Sequence, residues 1–176
     1  MDNFVLEKAK RVRLLILDID GVLTDGKIIY DSTGKDLKFF DVKDGLGVYL
    51  LKKVGIPTVL ITARSSKAIK PRARDMQIEK VYENVDSKIS ILNKLLKKFK
   101  LKPEEICFIG DDLVDLGLMK SVGFAVAVAN ACNEIKSCAH YITLQNGGNG
   151  AVREVAEIIL KSKQKWEDII KDYSNI

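Results

Sequence analysis

The sequence has few of the residues from which small proteins build covalent or metal-based supports. Its 176 residues include three cysteines, one histidine and one tryptophan. Cys107, Cys132 and Cys138 form neither a CxxC pair nor the spacing of a zinc site. We interpret all three as reduced packing residues, which is typical of a cytoplasmic protein. His140 lacks metal-ligating neighbours in the sequence, so we expect it to be a packing or surface residue.

Long apolar runs are also absent. No segment approaches the roughly 18 consecutive apolar residues of a membrane-spanning helix. The first 13 residues contain acidic side chains and lack the apolar core of a signal peptide. We therefore expect a cytoplasmic protein without a membrane partner.

Aromatic residues make up only 7% of the chain and are not interleaved with arginine, as a single-strand nucleic-acid binder would require. The net charge of +5 is carried mostly by lysine and could attract nucleic acid or an acidic membrane. In the densest basic run, residues 93–102, the lysines alternate with leucines at helical spacing, which is typical of the outer face of an amphipathic helix. We expect a solvated lysine surface and no nucleic-acid partner.

The apolar residues that are present favour an α/β fold. Hydrophobic residues make up 47% of the chain, which excludes a disordered protein, and the length suits one domain spanning residues 1–176. Short apolar runs alternate with longer helical patterns, so we expect a Rossmann-like three-layer sandwich around a parallel sheet. The predicted strands are 13–18, 57–62, 80–83, 105–110, 124–128 and 141–143.

One interval interrupts the alternation of strands and helices. Residues 26–44 read as two strands around "DSTGK", which predicts a β-hairpin flap, at about residues 26–43, inserted after the first strand. Later helices are predicted at "DSKISILNKLLKKF", with Asp86 as a candidate N-cap and Ile89 on the apolar face, and at residues 148–170. The last residues, about 161–176, would form a C-terminal tail.

Charged and hydroxyl side chains follow several of the predicted strands. In a parallel α/β sheet ligands bind beyond the carboxyl ends of the strands, so these groups should converge on one edge. Several carboxylates in one pocket repel one another unless a cation lies among them, and Mg²⁺ prefers oxygen ligands together with a substrate phosphate. The groups are Asp18, Asp20, Thr62, Arg64, Lys88, Asp111, Asp112 and Asp115.

This set of residues predicts phosphoryl transfer. Asp18 could attack phosphorus to form an aspartyl-phosphate, and Asp20 on the same turn could act as general acid and base. Thr62 and Lys88 could hold the phosphate. Each motif alone also has an interpretation without a function: "DxD" can cap a turn, "TxR" can occur by chance, and Lys88 can be a surface lysine. Their common order at strand ends favours the catalytic interpretation.

The motifs "DIDGVLTDG", "ITAR", "DSK" and "GDDLVD" resemble, in order, the four motifs of the haloacid dehalogenase superfamily. The residues from Asp20 to about Leu51, together with "GGNGAVREVAEIIL", resemble the cap-less family of phosphatases that act on 3-deoxy-D-manno-octulosonate 8-phosphate. The resemblance implies an Mg²⁺-dependent phosphomonoesterase that hydrolyses this sugar-acid phosphate in lipopolysaccharide precursor synthesis.

The resemblance also implies roles for individual residues. The catalytic set would be Asp18, Asp20, Thr62 and Lys88. Metal ligands or their supports would be Asp18, Asp20, Asp111 and Asp112. Contacts to the anionic sugar-acid phosphate would come from Asp20, Asp41, Val42, Lys43, Asp44, Gly45, Arg64, Arg72 and Lys88.

Members of this family are homotetramers in which hairpins of four subunits assemble. The resemblance therefore implies that the flap is also a subunit interface, and that the C-terminal tail closes over a neighbouring site. Arg153 could reach substrate in this way or lie on a helix surface. Three alternative functions remain: a phosphatase of nine-carbon sialic-type acids, a broad sugar-phosphate phosphatase, and a non-catalytic assembly module.

Overall fold

Six parallel strands form the central sheet of the computed structural model, which describes residues 2–175. They are β1 (Leu14–Leu17), β4 (Thr58–Ile61), β5 (Lys80–Tyr82), β6 (Ile106–Gly110), β7 (Phe124–Ala127) and β8 (Tyr141–Ile142); β2 (Ile29–Tyr30) and β3 (Asp36–Leu37) form a separate hairpin. The order across the sheet is β5-β4-β1-β6-β7-β8. Every residue of β1, β4, β6 and β7 is buried, which explains their unbroken apolar sequences.

The helices pack into two groups, which is consistent with a layer on each face of the sheet. One group contains α1 (Asn3–Arg11), α2 (Val42–Lys53), α7 (Ala151–Ser162) and α8 (Trp166–Ser174), and the other contains α4 (Lys88–Phe99), α5 (Leu116–Met119) and α6 (Asn133–Cys138). Helix α3 (Ile69–Asp75) follows β4. Among residues 2–175, no helix is both long enough and apolar enough to cross a membrane.

The predicted parallel α/β sandwich is confirmed, and the differences are local. Asp86 does not cap α4, because Ser87 occupies the N-cap position, and Ile89 is 42% exposed while Ile91 faces the core. The predicted helix at 148–170 is two helices, α7 and α8, separated at residues 163–165. Pro71 is the third residue of α3, where the helix needs no N–H donor.

The flap is the hairpin predicted after β1, with strands shorter than the sequence indicated. Strands β2 and β3 pair antiparallel over two residues each. The Asp31 carboxylate closes the turn by accepting hydrogen bonds from the backbone N–H groups of Thr33 and Lys35, at 2.8 and 3.0 Å. Gly34 supplies the left-handed conformation, with φ of 77°, that the turn requires.

The loop before α7 packs directly on the turn that follows β1. The N–H of Gly148 donates to the carbonyl of Val22 at 2.8 Å, and the N–H of Gly147 donates to the Asn130 side chain at 2.9 Å. A Cβ atom added to Gly147 would lie 1.6 Å from the carbonyl oxygen of Gly21. Only glycine at 147 therefore permits this approach of two backbone segments.

We expect Gly147→Ala to lower the free energy of unfolding by about 1–3 kcal/mol, because the new methyl group meets backbone that cannot rotate away. Gly117→Ala is the matched control. Its Cβ would lie 2.7 Å from the far end of the exposed Ile89 side chain, which can move, and neither glycine has a positive φ. The control should change stability by less than about 1 kcal/mol. Denaturant unfolding measures both, and equal values for the two variants would contradict the packing argument.

Candidate active site

The predicted site residues meet at the carboxyl ends of three adjacent strands. Asp18 follows β1, Thr62 follows β4 and Asp111 follows β6, and these strands are neighbours in the order β4-β1-β6. Lys88 is the first residue of α4. Convergence on this edge is what the parallel topology predicts for a ligand site.

A buried ion cluster lies at the centre of the site. The ammonium of Lys88 is 2.9 Å from the carboxylate of Asp18 and makes a short contact with Asp115 Oδ1. The second oxygen of Asp115 accepts the backbone N–H of Asp111 at 3.0 Å. Asp115 is fully buried and holds both Lys88 and Asp111 in place. Sequence reasoning included Asp115 among the convergent groups but assigned it no role; the third acid of "GDDLVD" was the available signal.

The cluster has more negative charge than Lys88 compensates. Carboxylate oxygens of Asp18, Asp111 and Asp115 lie within 4.8 Å of one another. Burial, reinforced by the charge of Asp115, raises the pKa of Asp18 to about 6. Burial and the charges of Asp18 and Asp115 raise the pKa of Asp111 to about 7. Burial lowers the pKa of Lys88, but the adjacent carboxylates outweigh it and the net direction is upward.

These residues fit a divalent cation. Asp111 Oδ1 is buried without a hydrogen-bond partner, so it is available as a ligand. Both oxygens of Asp115 are already used by Lys88 and by the Asp111 N–H. The carboxylates with free ligand capacity are therefore those of Asp18 and Asp111, a pair of hard oxygen donors suited to Mg²⁺.

The turn after β1 is shaped for the approach of Asp111. Gly21 has a φ of 92°, and a Cβ atom there would lie 2.0 Å from Asp111 Oδ2. The buried hydroxyl of Thr24 accepts hydrogen bonds from the N–H groups of Gly21 and Gly26, each at 3.3 Å. Thr24 was not among the predicted site residues, although it lies inside the quoted motif.

Asp20 lies beside the cluster and not within it. Its Oδ1 contacts the ammonium of Lys38 from the flap, and its Oδ2 is 3.9 Å from Arg64 Nε. Oδ2 is buried and has no hydrogen-bond partner. Lys38 was not predicted, because the sequence of a surface hairpin gives no signal that this lysine side chain is only 5% exposed.

Asp112 lies next to Asp111 and is the N-cap residue of a short 3₁₀ turn. Its side chain is exposed and accepts the N–H of Leu113 at 2.8 Å, capping the short 3₁₀ turn at residues 113–115. It is outside the acidic group formed by Asp18, Asp111 and Asp115. The preference of aspartate for such caps accounts for its presence.

Thr62 and Arg64 flank the site from the end of β4. Thr62 is buried, and its hydroxyl oxygen accepts the N–H of Arg64 at 3.1 Å. Its hydroxyl hydrogen is therefore free for another acceptor. The Arg64 side chain is 45% exposed and reaches towards Asp20. It also lines a cleft of about 830 Å³ between the flap and the α3 region, with Lys35, Lys67 and Lys70.

The predicted substrate segment 41–45 divides into an exposed part and a buried part. Asp41 caps α2 by accepting the Lys43 N–H at 2.6 Å, and Val42 and Lys43 are exposed. Arg72 donates to the carbonyl of Asp41 at 2.7 Å. A Cβ atom on the buried Gly45 would lie 2.5 Å from Arg72 Nη2, so this glycine makes room for the guanidinium.

Asp44 faces the protein interior, contrary to the expected substrate contact. It is fully buried and accepts the N–H of Arg153 at 2.8 Å, which joins α2 to the first turn of α7. Burial raises the pKa of Asp44 to about 6 despite this hydrogen bond. Arg153 itself pairs with Glu157 at 2.9 Å and packs over Trp166.

Comparison with known proteins finds relatives that are similar in sequence and in fold. A family described as haloacid dehalogenase-like hydrolase matches residues 78–155. The 3-deoxy-D-manno-octulosonate 8-phosphate phosphatase of Yersinia pestis is 40% identical over 163 residues, 93% of this chain and 87% of that protein. The Escherichia coli K12 phosphatase of the same name is 39% identical over 164 residues, with the same two coverages.

One of the similar solved structures contains ligands. The 3-deoxy-D-manno-octulosonate 8-phosphate phosphatase from Moraxella catarrhalis, in complex with magnesium ion, phosphate ion and KDO, is 40% identical to this chain. The TM-score is 0.95, and the match covers 98% of this chain and 99% of that one.

We expect Mg²⁺ binding to weaken as the pH falls, because protons compete for carboxylates whose pKa values are about 7 for Asp111 and about 6 for Asp18. Both pKa values lie above the ordinary value, so binding is strongest above about pH 7, where both groups are ionised. Between about pH 8 and about pH 6 the Kd should rise about twentyfold, because protonation of Asp111 contributes about tenfold over this range and protonation of Asp18 about twofold.

Titration calorimetry with Mg²⁺ measures this dependence, and buffers of different ionisation enthalpy report the protons released. Asp111→Asn is the informative variant, because it should bind Mg²⁺ more weakly and lose the upper part of the pH dependence. A Kd that stays constant across this range would contradict the assignment.

Proposed function

Because this chain belongs to the 3-deoxy-D-manno-octulosonate 8-phosphate phosphatase family of haloacid dehalogenase-like hydrolases, we propose that it hydrolyses this phosphate to the free sugar acid and inorganic phosphate. It is a phosphoric monoester hydrolase, and Mg²⁺ is its cofactor. The observation that carries the proposal is the buried Asp18–Lys88–Asp115 cluster with the unpartnered Asp111 oxygen beside it. The pathway that uses this product is lipopolysaccharide precursor synthesis.

Asp18 is the nucleophile in the proposed mechanism. Lys88 holds one carboxylate oxygen of Asp18, which fixes the direction of the attack on phosphorus. The P–O bond to the sugar breaks as the bond to Asp18 forms, and Asp20 protonates the leaving oxygen. Asp20 then removes a proton from water, which attacks the aspartyl-phosphate and regenerates Asp18.

The remaining residues stabilise the negative charge of the phosphate. Lys88 and the free hydroxyl hydrogen of Thr62 can donate to phosphate oxygens. Asp18, Asp111 and the main-chain carbonyl of Asp20 would hold Mg²⁺. When bound, the ion would neutralise charge on the carboxylates and the phosphate together.

The sugar acid is assigned to the side of the site formed by Arg64 and the start of α2. Arg64 lines the cleft beside Asp20, and Lys43 is exposed at the first turn of α2. Both are cations suited to a carboxylate. Arg72 acts through the segment that it anchors, because its guanidinium donates to the Asp41 carbonyl. Val42 is 77% exposed at the first position of α2.

The proposal includes a homotetramer assembled through the flaps. The outer face of the flap exposes Leu37 and Phe39, with Phe39 67% accessible. An apolar hairpin face without cover is typical of a subunit interface. A single domain is supported by one hydrophobic core shared by the sheet and both helix groups. A cytoplasmic location is supported by three free thiols.

We expect rapid release of phosphate from 3-deoxy-D-manno-octulosonate 8-phosphate in the presence of Mg²⁺, and its loss with excess chelator. Asp18→Asn should reduce the rate by at least about 10⁴-fold, because the amide is a poor nucleophile. A cooperative thermal unfolding transition would show that this variant is folded, although its midpoint should fall and its Mg²⁺ affinity should weaken, because Asp18 pairs with Lys88 and is a proposed ligand. Equal efficiency on nine-carbon or unrelated sugar phosphates would refute the assigned substrate, and no phosphate release from any of them would refute the enzyme.

We expect Phe39→Ser to shift the tetramer towards smaller species, because it removes an apolar contact from the outer face of the flap. Leu144→Ser is the matched control, since Leu144 is 83% exposed but lies outside the flap. Light scattering during gel filtration measures the mass of each. A wild-type monomer, or an equal shift in both variants, would contradict assembly through the flap.

A further inference from the structure

The flap reverses the usual pattern of a surface hairpin. From residue 36 to residue 40 the side chains alternate, with Leu37 and Phe39 exposed and Asp36, Lys38 and Phe40 partly covered. A hairpin that covers a protein normally places apolar residues inside and charged residues outside. Here a lysine occupies the central inward position, and its side chain is only 5% exposed. Burying this charge is unfavourable unless it serves a specific partner.

The partner of Lys38 is the carboxylate of Asp20. The Lys38 ammonium contacts Asp20 Oδ1, and it lies 4.0 Å from Oδ2 of Asp36, which is the acid on the inward face of the flap. The two oxygens of Asp20 thus have different environments. Oδ1 is held by Lys38, whereas Oδ2 is buried, has no hydrogen-bond partner and lies 3.9 Å from Arg64 Nε.

We infer that Lys38 is a positioning residue for the general acid. By holding Oδ1 it fixes the rotation of the Asp20 carboxyl group, so that Oδ2 carries the proton towards the leaving group. As the P–O bond to the sugar breaks, the O–H bond at Oδ2 breaks and its proton passes to the sugar oxygen. Lys38 acts through Asp20 and contacts neither the phosphorus nor the nucleophile. The inference rests on the proposed function, since it takes Asp20 as the acid.

Leaving-group dependence separates this role from a structural one. An alkyl phosphate expels a strongly basic alkoxide and needs a proton at once, whereas p-nitrophenyl phosphate expels a stable phenolate and needs none. The value of kcat/KM reports the steps up to formation of the aspartyl-phosphate, and so excludes the later attack by water. Loss of acid positioning should therefore appear in kcat/KM for alkyl phosphates alone.

We expect Lys38→Met to lower kcat/KM for the sugar-acid phosphate by about 100-fold, the lower end of a general-acid contribution, and to leave that for p-nitrophenyl phosphate nearly unchanged. Lys38→Arg keeps the charge and should recover part of the loss. Asp20→Asn should show the same selective loss, and combining it with Lys38→Met should lower kcat/KM no further. Retained aryl phosphatase activity is itself evidence that Lys38→Met is folded.

Lys27→Met is the matched control, because Lys27 lies at the base of the same flap but is exposed and pairs with Asp25. It should leave both substrates unaffected. Equal losses on both substrates in Lys38→Met, or no loss on the alkyl phosphate, would overturn the inference. Failure of the proposed function would give a different result. The wild-type protein would then cleave other alkyl phosphates but not the sugar-acid phosphate, and comparing alkyl with aryl substrates would still test the role of Lys38.

Discussion

The site depends on one buried cation. Lys88 lies between Asp18 and Asp115, and all three side chains are almost removed from solvent. A carboxylate buried beside the end of an apolar strand is unfavourable unless it is paired, and removing one member of a buried pair typically costs about 3–5 kcal/mol. Placing Lys88 at the start of α4 fixes the ammonium to a rigid element. The nucleophilic carboxylate therefore takes its orientation from the fold itself.

The same cluster carries more negative charge than positive charge. One lysine cannot neutralise three carboxylates, and burial, followed by repulsion between the carboxylates, raises the pKa values of Asp18 and Asp111. One oxygen of Asp115 accepts from Lys88 and the other accepts the backbone N–H of Asp111, so Asp115 positions both residues and is not available as a metal ligand. What remains is a pair of oxygen donors that gains stability when a divalent cation and a phosphate arrive together. Stability and binding are thus coupled through the same three carboxylates.

Sequence patterns were sufficient where a residue's neighbours follow from topology. The apolar runs of β1, β4 and β6 predicted a parallel sheet, and the sheet order brings Asp18, Thr62 and Asp111 together. Sequence patterns did not predict the role of a residue where that role depends on the direction of its side chain. Asp44 and Asp112 lie in motifs of the expected type, yet one turns inward to Arg153 and the other caps a turn. The spacing of residues in a short loop does not show which way these side chains point, because an acidic residue at the start of a helix can either cap the helix or contact a ligand.

The flap is the element whose contacts were least predictable from the sequence, and it contacts the proposed general acid. Its strands pair over two residues each, which is too little to be stable alone, so its conformation is held by what covers its two faces. The inward face contacts Asp20 through Lys38, and the outward face presents Leu37 and Phe39. Covering the outer face with another subunit would press the inner face onto the site. In the proposed assembly, a subunit contact at Phe39 would therefore help to order Lys38, because the two side chains alternate along the same segment.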